Sequence, residues 1–191
     1  MLTEPILVTL QVAEALEDLE IPYFITGSLA TALHGVARAT MDVDLVTELR
    51  PDKIQPLLNA LGNAFFTDEQ MIRNALRQGI SFNLIHKETM FKVDIFPAGD
   101  RAYDHAQFER RASYTLTEES GQTAYVSSPE DNILSKLEWY RMGGEISDRQ
   151  WQDVLNVLKI QKERIDRTYL EFWATQLGCS DLLARAFQQT S

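Results

Sequence analysis

The sequence predicts an α/β (α+β) fold followed by a helical C-terminal region, and three observations lead to this class. Over the first 127 residues, short apolar runs bounded by turn residues alternate with segments of helical spacing. From Ser128 onward, the spacing of apolar residues is helical only. The chain has 191 residues, of which 45% are hydrophobic and 24% charged, the balance of a soluble globular protein.

Start and stop signals define the elements of the first 127 residues. Ser28 and Asp68 are expected to cap helices, because their side chains can accept hydrogen bonds from free backbone N–H groups. Residues 101–111 are helical or irregular. The predicted helices cover residues 4–20, 28–36, 51–61 and 68–78, and the predicted strands cover 23–26, 40–46, 80–85, 90–96, 112–117 and 123–127.

The C-terminal region begins with a strong helix signal. Ser128 suits the cap position and Pro129 the first helical position. The predicted helices cover residues 128–140, 147 or 148 to 162, 166–177, and a segment that follows Ser180. The change from alternating strand and helix patterns to helical spacing alone predicts two parts, a core over residues 1–127 and a helical region over residues 128–191.

Composition excludes several classes of protein. No apolar run approaches the roughly 20 residues of a membrane-spanning helix, and the acidic N-terminus lacks the basic region of a signal peptide. A single cysteine, Cys179, excludes an intramolecular disulfide and a Cys-rich zinc site. We therefore expect a cytoplasmic protein with no membrane partner.

The net charge of −10 argues against a protein that coats nucleic acid non-specifically. Neutralising many phosphates requires clustered lysine and arginine. A local basic patch is still possible from eight cations, which are Arg73, Arg77, Arg101, Arg110, Arg111, Lys136, Arg141 and Arg149.

Two acids share one face of the predicted strand over residues 40–46. Asp42 and Asp44 are two residues apart, so their side chains point to the same side, opposite Val43 and Leu45. Adjacent carboxylates repel each other unless a cation lies between them, and a divalent cation is the usual partner. The strand therefore predicts a metal site.

A third acid extends this site. Asp94 lies within the apolar strand over residues 90–96, where a lone buried charge would be costly. If this strand is a neighbour of the strand over residues 40–46, Asp42, Asp44 and Asp94 can converge. Two metal ions held there can orient an in-line displacement at phosphorus.

The dipeptide Gly27-Ser28 lies where a strand passes into a helix, so free backbone N–H groups can hold an anion there. Each feature also has a plainer interpretation. Asp42 and Asp44 can form a solvated strand edge, and Gly27-Ser28 can form an ordinary turn. The combination with Asp94 favours a metal and phosphate site.

These motifs resemble the nucleotidyltransferase fold of the DNA polymerase β superfamily. The signature of that superfamily is an apolar residue, Gly-Ser or Gly-Gly, a spacer, Asp-apolar-Asp, and an acid on a later strand. In this chain it is Ile25-Thr26-Gly27-Ser28, thirteen residues, Asp42-Val43-Asp44 and then Asp94. The resemblance implies a mixed sheet flanked by helices.

The resemblance also implies a role for each motif. Asp42 and Asp44 would bind the metals, Mg²⁺ or Mn²⁺, that carry a nucleoside triphosphate. Asp94 would bind the catalytic metal and help to deprotonate the attacking hydroxyl. Gly27 and Ser28 would hold the β- and γ-phosphates.

The second half of the chain resembles the AbiEii-type branch, which contains bacterial toxin-like nucleotidyltransferases and their relatives. The resemblance is carried by Ser128-Pro129-Glu130-Asp131, by Lys136, and by Arg149-Gln150-Trp151-Gln152-Asp153. It implies that Lys136 contacts the triphosphate and that Asp153 orients Lys136 or the nucleotide. Their plainer interpretation is that both are surface charges.

Arg38 and Thr40 precede the acid pair and match a further feature of the AbiEii-type branch. The resemblance implies that both contact the nucleotide.

The leading hypothesis from the sequence is a metal-dependent nucleotidyltransferase. It would transfer a nucleoside monophosphate from a triphosphate to an acceptor that is RNA, protein or a small molecule. A second hypothesis is the toxin of a toxin–antitoxin pair, with tRNA or another RNA as acceptor and an antitoxin protein as inhibitor. The alternatives are a non-catalytic nucleotide-binding regulatory module and a small-molecule transferase of the antibiotic-modifying kind.

Overall fold

A mixed sheet of seven strands forms the centre of the described part of the chain, residues 3–36, 40, 42–117 and 121–190 of a computed structural model. The strands are β1 (Tyr23–Thr26), β2 (Asp42–Thr47), β3 (Phe65–Phe66), β4 (Phe82–His86), β5 (Lys92–Pro97), β6 (Ala112–Thr115) and β7 (Thr123–Val126). Their spatial order is β3-β4-β5-β2-β1-β7-β6.

Strand directions confirm a mixed sheet of the predicted α/β class. β2 pairs parallel with β5 and antiparallel with β1, and β1 pairs parallel with β7. The two predicted strand pairs, β4 with β5 and β6 with β7, are antiparallel neighbours. The central strand β2 alternates between buried and partly exposed residues, as expected for one face on the core and one on a cleft.

Helices flank the sheet and make up the C-terminal region. Those in the described residues are α1 (Thr3–Asp18), α2 (Gly27–His34), α3 (Ile54–Leu61), α4 (Glu69–Gln78), α5 (Ala102–Arg110), α6 (Pro129–Met142), α7 (Asp148–Gln161), α8 (Arg167–Gln176) and α9 (Ser180–Thr190). The predicted helices match these elements to within a few residues. The uncertain segment over residues 101–111 is helical.

Most predicted caps are confirmed. Asp68 accepts a hydrogen bond from the Met71 backbone N–H at 2.6 Å, and Ser128 accepts one from Asp131 at 3.0 Å. Gly79 ends α4 with φ of +63°, a left-handed conformation that glycine adopts without strain.

Two local predictions are wrong. Ser28 is not the cap of α2, because the helix begins at Gly27 and Thr26 occupies the cap position without a side-chain hydrogen bond. The helix predicted from Pro51 begins as a 3₁₀ turn over Pro51–Lys53 and becomes α-helical at Ile54. The two-residue strand β3 was not predicted, since two residues carry too little alternation to be recognised.

Buried apolar residues form two clusters. The first joins the sheet to α1–α4 and includes Leu45 and Val93. The second lies within the C-terminal helices and includes Leu137, Val154 and Leu182. Helix α2 packs against α6 and α7, so the two clusters meet beside α2. The division of the chain at residue 127 stays a prediction.

None of the helices in the described ranges is both long and apolar enough to cross a membrane.

Candidate functional site

A cleft of about 710 Å³ lies between the central strands of the sheet and helices α6 and α7. Most of the predicted site residues lie along it. Among the described residues, its lining includes Gly27, Ser28, Asp42, Asp44, Lys136 and Asp153. The structure thus brings together residues that are separated by more than a hundred positions in the chain.

Strand β2 supplies the floor of the cleft. Asp42, Asp44 and Val46 alternate with the buried Val43 and Leu45, so the two acids face the cleft as predicted. The parallel register of β2 and β5 pairs Asp44 with Asp94 and Val46 with Phe96. The three acids can converge only if their two strands are neighbours. The pairing of β2 with β5 confirms that they are.

The chemical character of the floor changes along the strands. Acids occupy its middle, whereas Val46, Phe96 and Pro97 make its far end apolar. The Phe96 ring lies edge to face against Trp139, with ring centroids 6.4 Å apart. Ligand groups of different chemistry would therefore bind at the two ends.

Asp44 lies at the electrostatic centre of the site. Burial, and to a smaller extent the charges of Asp42 and Asp94, raise its pKa from the ordinary 3.8 to about 6. Lys136 and a hydrogen bond from the Ser28 backbone N–H oppose the shift without cancelling it. The negative charge of this site is therefore only partly compensated by the protein.

The turn between β1 and α2 packs directly against the Asp44 carboxylate. Gly27 has φ of +61°, and a Cβ atom added there would overlap the Asp44 carboxylate. Glycine is required at this position both for its backbone conformation and for this close approach. The Ser28 N–H points at the same carboxylate, so it faces the cleft.

Asp42 and Asp94 have partners of their own. The Thr40 hydroxyl oxygen lies 2.8 Å from the Asp42 carbonyl oxygen and 3.3 Å from its Oδ1. Asp94 accepts a hydrogen bond from the Asn83 amide and lies 3.9 Å from the Lys92 ammonium. Asp94 shares the face of Asp44 but does not line the cleft.

The acids fit a divalent cation by their chemistry. Carboxylate oxygens are the ligands that Mg²⁺ prefers, and a cation would relieve the repulsion that raises the pKa of Asp44. As they are placed, the described residues contain no group of three or more His, Cys, Asp or Glu side chains that could hold a metal ion. The metal-binding role of Asp42, Asp44 and Asp94 stays a prediction.

Lys136 and Asp153 form a buried ion pair. The Lys136 Nζ lies 2.9 Å from Asp153 Oδ2, and the two residues are only 8% and 4% exposed. Helices α6 and α7 bring these residues together on the wall of the cleft, opposite the acids. The plainer interpretation of both as surface charges is therefore wrong.

Helix α6 contributes more to the cleft than was predicted. Asn132, Ser135, Lys136 and Trp139 line it and follow the spacing i, i+3, i+4 and i+7 that defines one helix face. Only Lys136 was predicted. The helical spacing was a signal for the others, but the sequence did not reveal that this face meets the cleft.

Arg101 connects the core to α6 at the far end of the cleft. Its guanidinium donates hydrogen bonds to Asp104 Oδ1 at 2.9 Å and to Glu138 Oε1 at 2.6 Å. These two carboxylates raise the pKa of Arg101 and pair with its positive charge. No sequence motif indicated this cluster, because Arg101 and Glu138 are distant in the chain.

The eight cations that could form a basic patch differ in their surroundings. Of these eight, only Arg101, Lys136 and Arg149 line the cleft. Arg110 instead pairs with Glu130 at 3.2 Å. Arg149 has no hydrogen-bond or ion-pair partner within the ranges described. Arg38, which was predicted to contact the nucleotide, lies outside the described residues.

We expect the metal-free protein to lose stability as the pH rises from about 4 to about 6. In this range the folded state holds more protons than the unfolded state, because folding raises the pKa of Asp44 from 3.8 to about 6. The free energy of unfolding, measured by urea denaturation at several pH values, should fall more steeply with pH in the wild type than in Asp44→Asn. Equal pH dependence of the two proteins would contradict this prediction.

The chain matches no protein-family model and no curated protein sequence. Solved structures do match. One is the antibiotic-resistance factor ANT(2'')-Ia, with 12% identity over 97% of this chain and 99% of that chain and a TM-score of 0.57. Another is the lincosamide antibiotic adenylyltransferase LnuA with lincomycin bound, with 16% identity over 82% of this chain and 97% of that chain and a TM-score of 0.51.

A third match is an antigenic nucleotidyltransferase-like protein from Paracoccidioides brasiliensis. It is 20% identical over 97% of this chain and 93% of that chain, with a TM-score of 0.58. At these identities the likeness concerns the fold, and it extends over 82–97% of this chain and 93–99% of the matched chains. The chain therefore has the nucleotidyltransferase fold that its sequence motifs resemble.

Proposed function

We propose that this protein is a metal-dependent nucleotidyltransferase. The observation that carries the proposal is the arrangement around Asp44, where three acids of two neighbouring strands meet a glycine turn with an N–H group facing the cleft. A cation site beside an anion site is what a metal-bound triphosphate requires. The shared fold supports this function.

The proposed reaction joins an acceptor hydroxyl oxygen to the α-phosphorus of a nucleoside triphosphate. The bond from the α-phosphorus to the bridging oxygen breaks, and pyrophosphate leaves. Asp42, Asp44 and Asp94 would hold Mg²⁺ or Mn²⁺, which neutralises charge on the phosphates. Asp94 would also receive the proton of the attacking hydroxyl at Oδ2, since the Asn83 amide bonds to Oδ1.

The triphosphate would lie between the glycine turn and helices α6 and α7. Gly27 and Ser28 would donate backbone N–H groups to it, the Ser28 N–H in exchange for its hydrogen bond to the Asp44 carboxylate. Lys136, oriented by Asp153, would supply a positive charge, and Arg149 would supply a second one. Thr40 would hold Asp42 in place, and Arg38 is proposed to contact the nucleotide as implied by the family resemblance.

The acceptor that the cleft supports best is a small molecule carrying hydroxyl and amine groups. Among the described residues that line it, five acids outnumber three bases, and its volume of about 710 Å³ is in the range of small-molecule sites. One of the similar structures, ANT(2'')-Ia, has also been solved with adenylyl-2''-tobramycin. An acidic cleft disfavours RNA, because RNA binding depends on neutralising phosphates.

The toxin hypothesis remains the second candidate. In it, tRNA or another RNA accepts the nucleotide and an antitoxin protein inhibits the enzyme. It is supported by the AbiEii-like motifs around Lys136 and Asp153, which lie together at the cleft. If it holds, inducible expression in a bacterium should arrest growth, and expression of Asp42→Ala should not.

One labelling experiment tests the function and the acceptor together. The protein is incubated with Mg²⁺ and each of the four α-labelled triphosphates, with either total cellular RNA or a panel of hydroxylated small molecules with and without amines. We expect label on the amine-bearing small molecules and none with Asp42→Asn. Label on RNA instead would support the toxin hypothesis.

Two other outcomes would contradict the proposal. Tight Mg²⁺-dependent binding of a triphosphate without turnover across all acceptors would indicate the non-catalytic regulatory module. If calorimetry detects no binding of any triphosphate, the protein is neither a nucleotidyltransferase nor a nucleotide-binding regulatory module.

A further inference from the structure

Asn132 on α6 lies in the cleft wall and is fully buried, and the reaction proposed above assigns it no role. Its side-chain amide donates a hydrogen bond to the Gly27 carbonyl oxygen, with Nδ2 and O 3.1 Å apart. The Thr31 hydroxyl oxygen lies 2.9 Å from the Gly27 carbonyl oxygen and 2.9 Å from Asn132 Oδ1. The Asn132 amide thus holds the Gly27 carbonyl group, and the single Thr31 hydroxyl proton is shared between that carbonyl oxygen and Asn132 Oδ1.

That carbonyl belongs to the same peptide unit as the Ser28 N–H. The peptide unit is planar and trans, so its C=O and N–H groups point in opposite directions. Fixing the Gly27 oxygen on the α6 side therefore fixes the Ser28 N–H on the side of the cleft, where it meets the Asp44 carboxylate.

This peptide unit opens α2, so the Thr31 backbone N–H already bonds the Gly27 carbonyl oxygen within the helix, and the Asn132 amide adds a second hydrogen bond from outside it. Gly27 has φ of +61° and no side chain, so the residue has unusual freedom to rotate the peptide that follows it. A rotated peptide would direct its carbonyl oxygen, and no longer its N–H, into a cleft that has to bind an anion. The amide of Asn132 opposes that rotation, because only the carbonyl oxygen can accept its hydrogen bond.

We propose that Asn132 is a positioning residue that sets the anion-binding orientation of the Gly27-Ser28 peptide, with Thr31 holding the Asn132 amide. The inference rests on the proposed function for its ligand, the phosphates of a nucleoside triphosphate. It assigns helix α6 two tasks, since Asn132 and Lys136 lie four residues apart on one face and serve the same phosphates.

A matched control exists at the other end of α2. His34 is as deeply buried as Asn132, and its Nε2 forms a 2.7 Å hydrogen bond with the Ser127 carbonyl oxygen. Both side chains anchor α2, but only Asn132 contacts the Gly27-Ser28 peptide. His34→Leu should therefore lower stability and leave the orientation of that peptide unchanged.

The test compares Asn132→Leu, Thr31→Val and His34→Leu with the wild type in two measurements. The first is the exchange rate of the Ser28 amide hydrogen in the ligand-free protein, followed by NMR. The second is the affinity for a non-hydrolysable triphosphate with Mg²⁺, measured by calorimetry. Melting temperatures are recorded for all four proteins.

We expect Asn132→Leu to speed Ser28 exchange and to weaken triphosphate binding by about tenfold each, the effect of losing one buried hydrogen bond. Thr31→Val should have a smaller effect in the same direction, and it serves as the test if Asn132→Leu does not fold. His34→Leu should change neither the Ser28 exchange rate nor the triphosphate affinity by more than about twofold, even if it lowers the melting temperature as much as Asn132→Leu does.

The outcomes separate the two proposals. If the wild type binds no triphosphate, the proposed function fails, and Ser28 exchange still decides whether Asn132 orients the peptide. If the wild type binds and the Asn132 and His34 variants behave alike in both measurements, Asn132 is a structural residue only and the inference is overturned.

Discussion

Replacing Asp44 with asparagine is expected to lower the rate of nucleotidyl transfer by about a thousandfold, while the protein stays folded. A metal ion contributes several kcal/mol to stabilising a phosphoryl-transfer transition state, and each 1.4 kcal/mol is about a factor of ten in rate. The negative charges of both Asp42 and Asp94 raise the pKa of Asp44, so the repulsion among the three acids is felt at Asp44. Its loss should therefore affect the cation site most.

The same substitution should stabilise the metal-free protein at pH 7, because an ionised Asp44 is unfavourable in its buried position. Loss of activity together with gain of stability is typical of a functional residue, and it excludes unfolding as the cause. The measurements are single-turnover rates with saturating Mg²⁺ and triphosphate, and urea denaturation of the metal-free protein.

Asp52→Asn is the matched control for Asp44→Asn. Asp52 is also an aspartate, but it is largely exposed and pairs only loosely with Arg50, at 3.7 Å. We expect wild-type activity and stability for this control. An Asp44→Asn protein that retained the wild-type rate would show that these acids do not hold the catalytic cation.

Breaking the Lys136–Asp153 pair is expected to give the largest loss of stability. Lys136→Met removes the ammonium group 2.9 Å from the buried Asp153 carboxylate, and this ammonium also lowers the pKa of Asp44. Removing one member of a buried ion pair commonly destabilises a protein by about 3–5 kcal/mol. Asp153→Leu should destabilise less, because Lys136 keeps the attraction of the nearby acids.

The double variant Lys136→Met/Asp153→Leu separates folding from function. Replacing both charges with apolar side chains of similar size should restore much of the stability, as apolar replacements of buried pairs commonly do. Activity should not return, because the triphosphate has lost a positive charge that the proposed reaction requires. Stability is measured by urea denaturation and activity by pyrophosphate release.

The exposed pair of Arg167 and Glu171 provides the control. Its atoms are also 2.8 Å apart, but its side chains are 67% and 57% exposed. Removing either charge should change stability by less than about 1 kcal/mol and leave activity unchanged. Recovery of activity in the double variant of Lys136 and Asp153 would mean that the pair serves only the packing of α6 against α7.

The sequence was sufficient for features that depend on neighbours in the chain. The alternation of β2 placed Asp42 and Asp44 on one face, because side chains in a strand repeat every two residues. Asp68 and Ser128 marked helix starts, because capping joins a side chain to a backbone N–H two or three residues further on. These local rules, with the resemblance to known motifs, predicted the fold class and six of the residues that line the cleft.

Local rules failed where a contact between distant segments changed the outcome. Ser28 has the chemistry of a helix cap, yet its backbone N–H bonds to Asp44 and α2 begins one residue earlier. Asp94 was placed correctly beside Asp44, but its hydrogen bond to Asn83 depends on the antiparallel register of β4 with β5.

By itself, the sequence determined the α/β class, most of the helix ends and the acid pair on one strand face, since each follows from spacing along the chain. Only the tertiary structure decided that Lys136 reaches Asp153, that Arg101 bridges to Glu138, and that Asn132 holds the Gly27 peptide. These contacts join residues 17, 37 and 105 positions apart. Their formation depends on how α6 packs over the sheet, which the spacing of residues within α6 cannot specify.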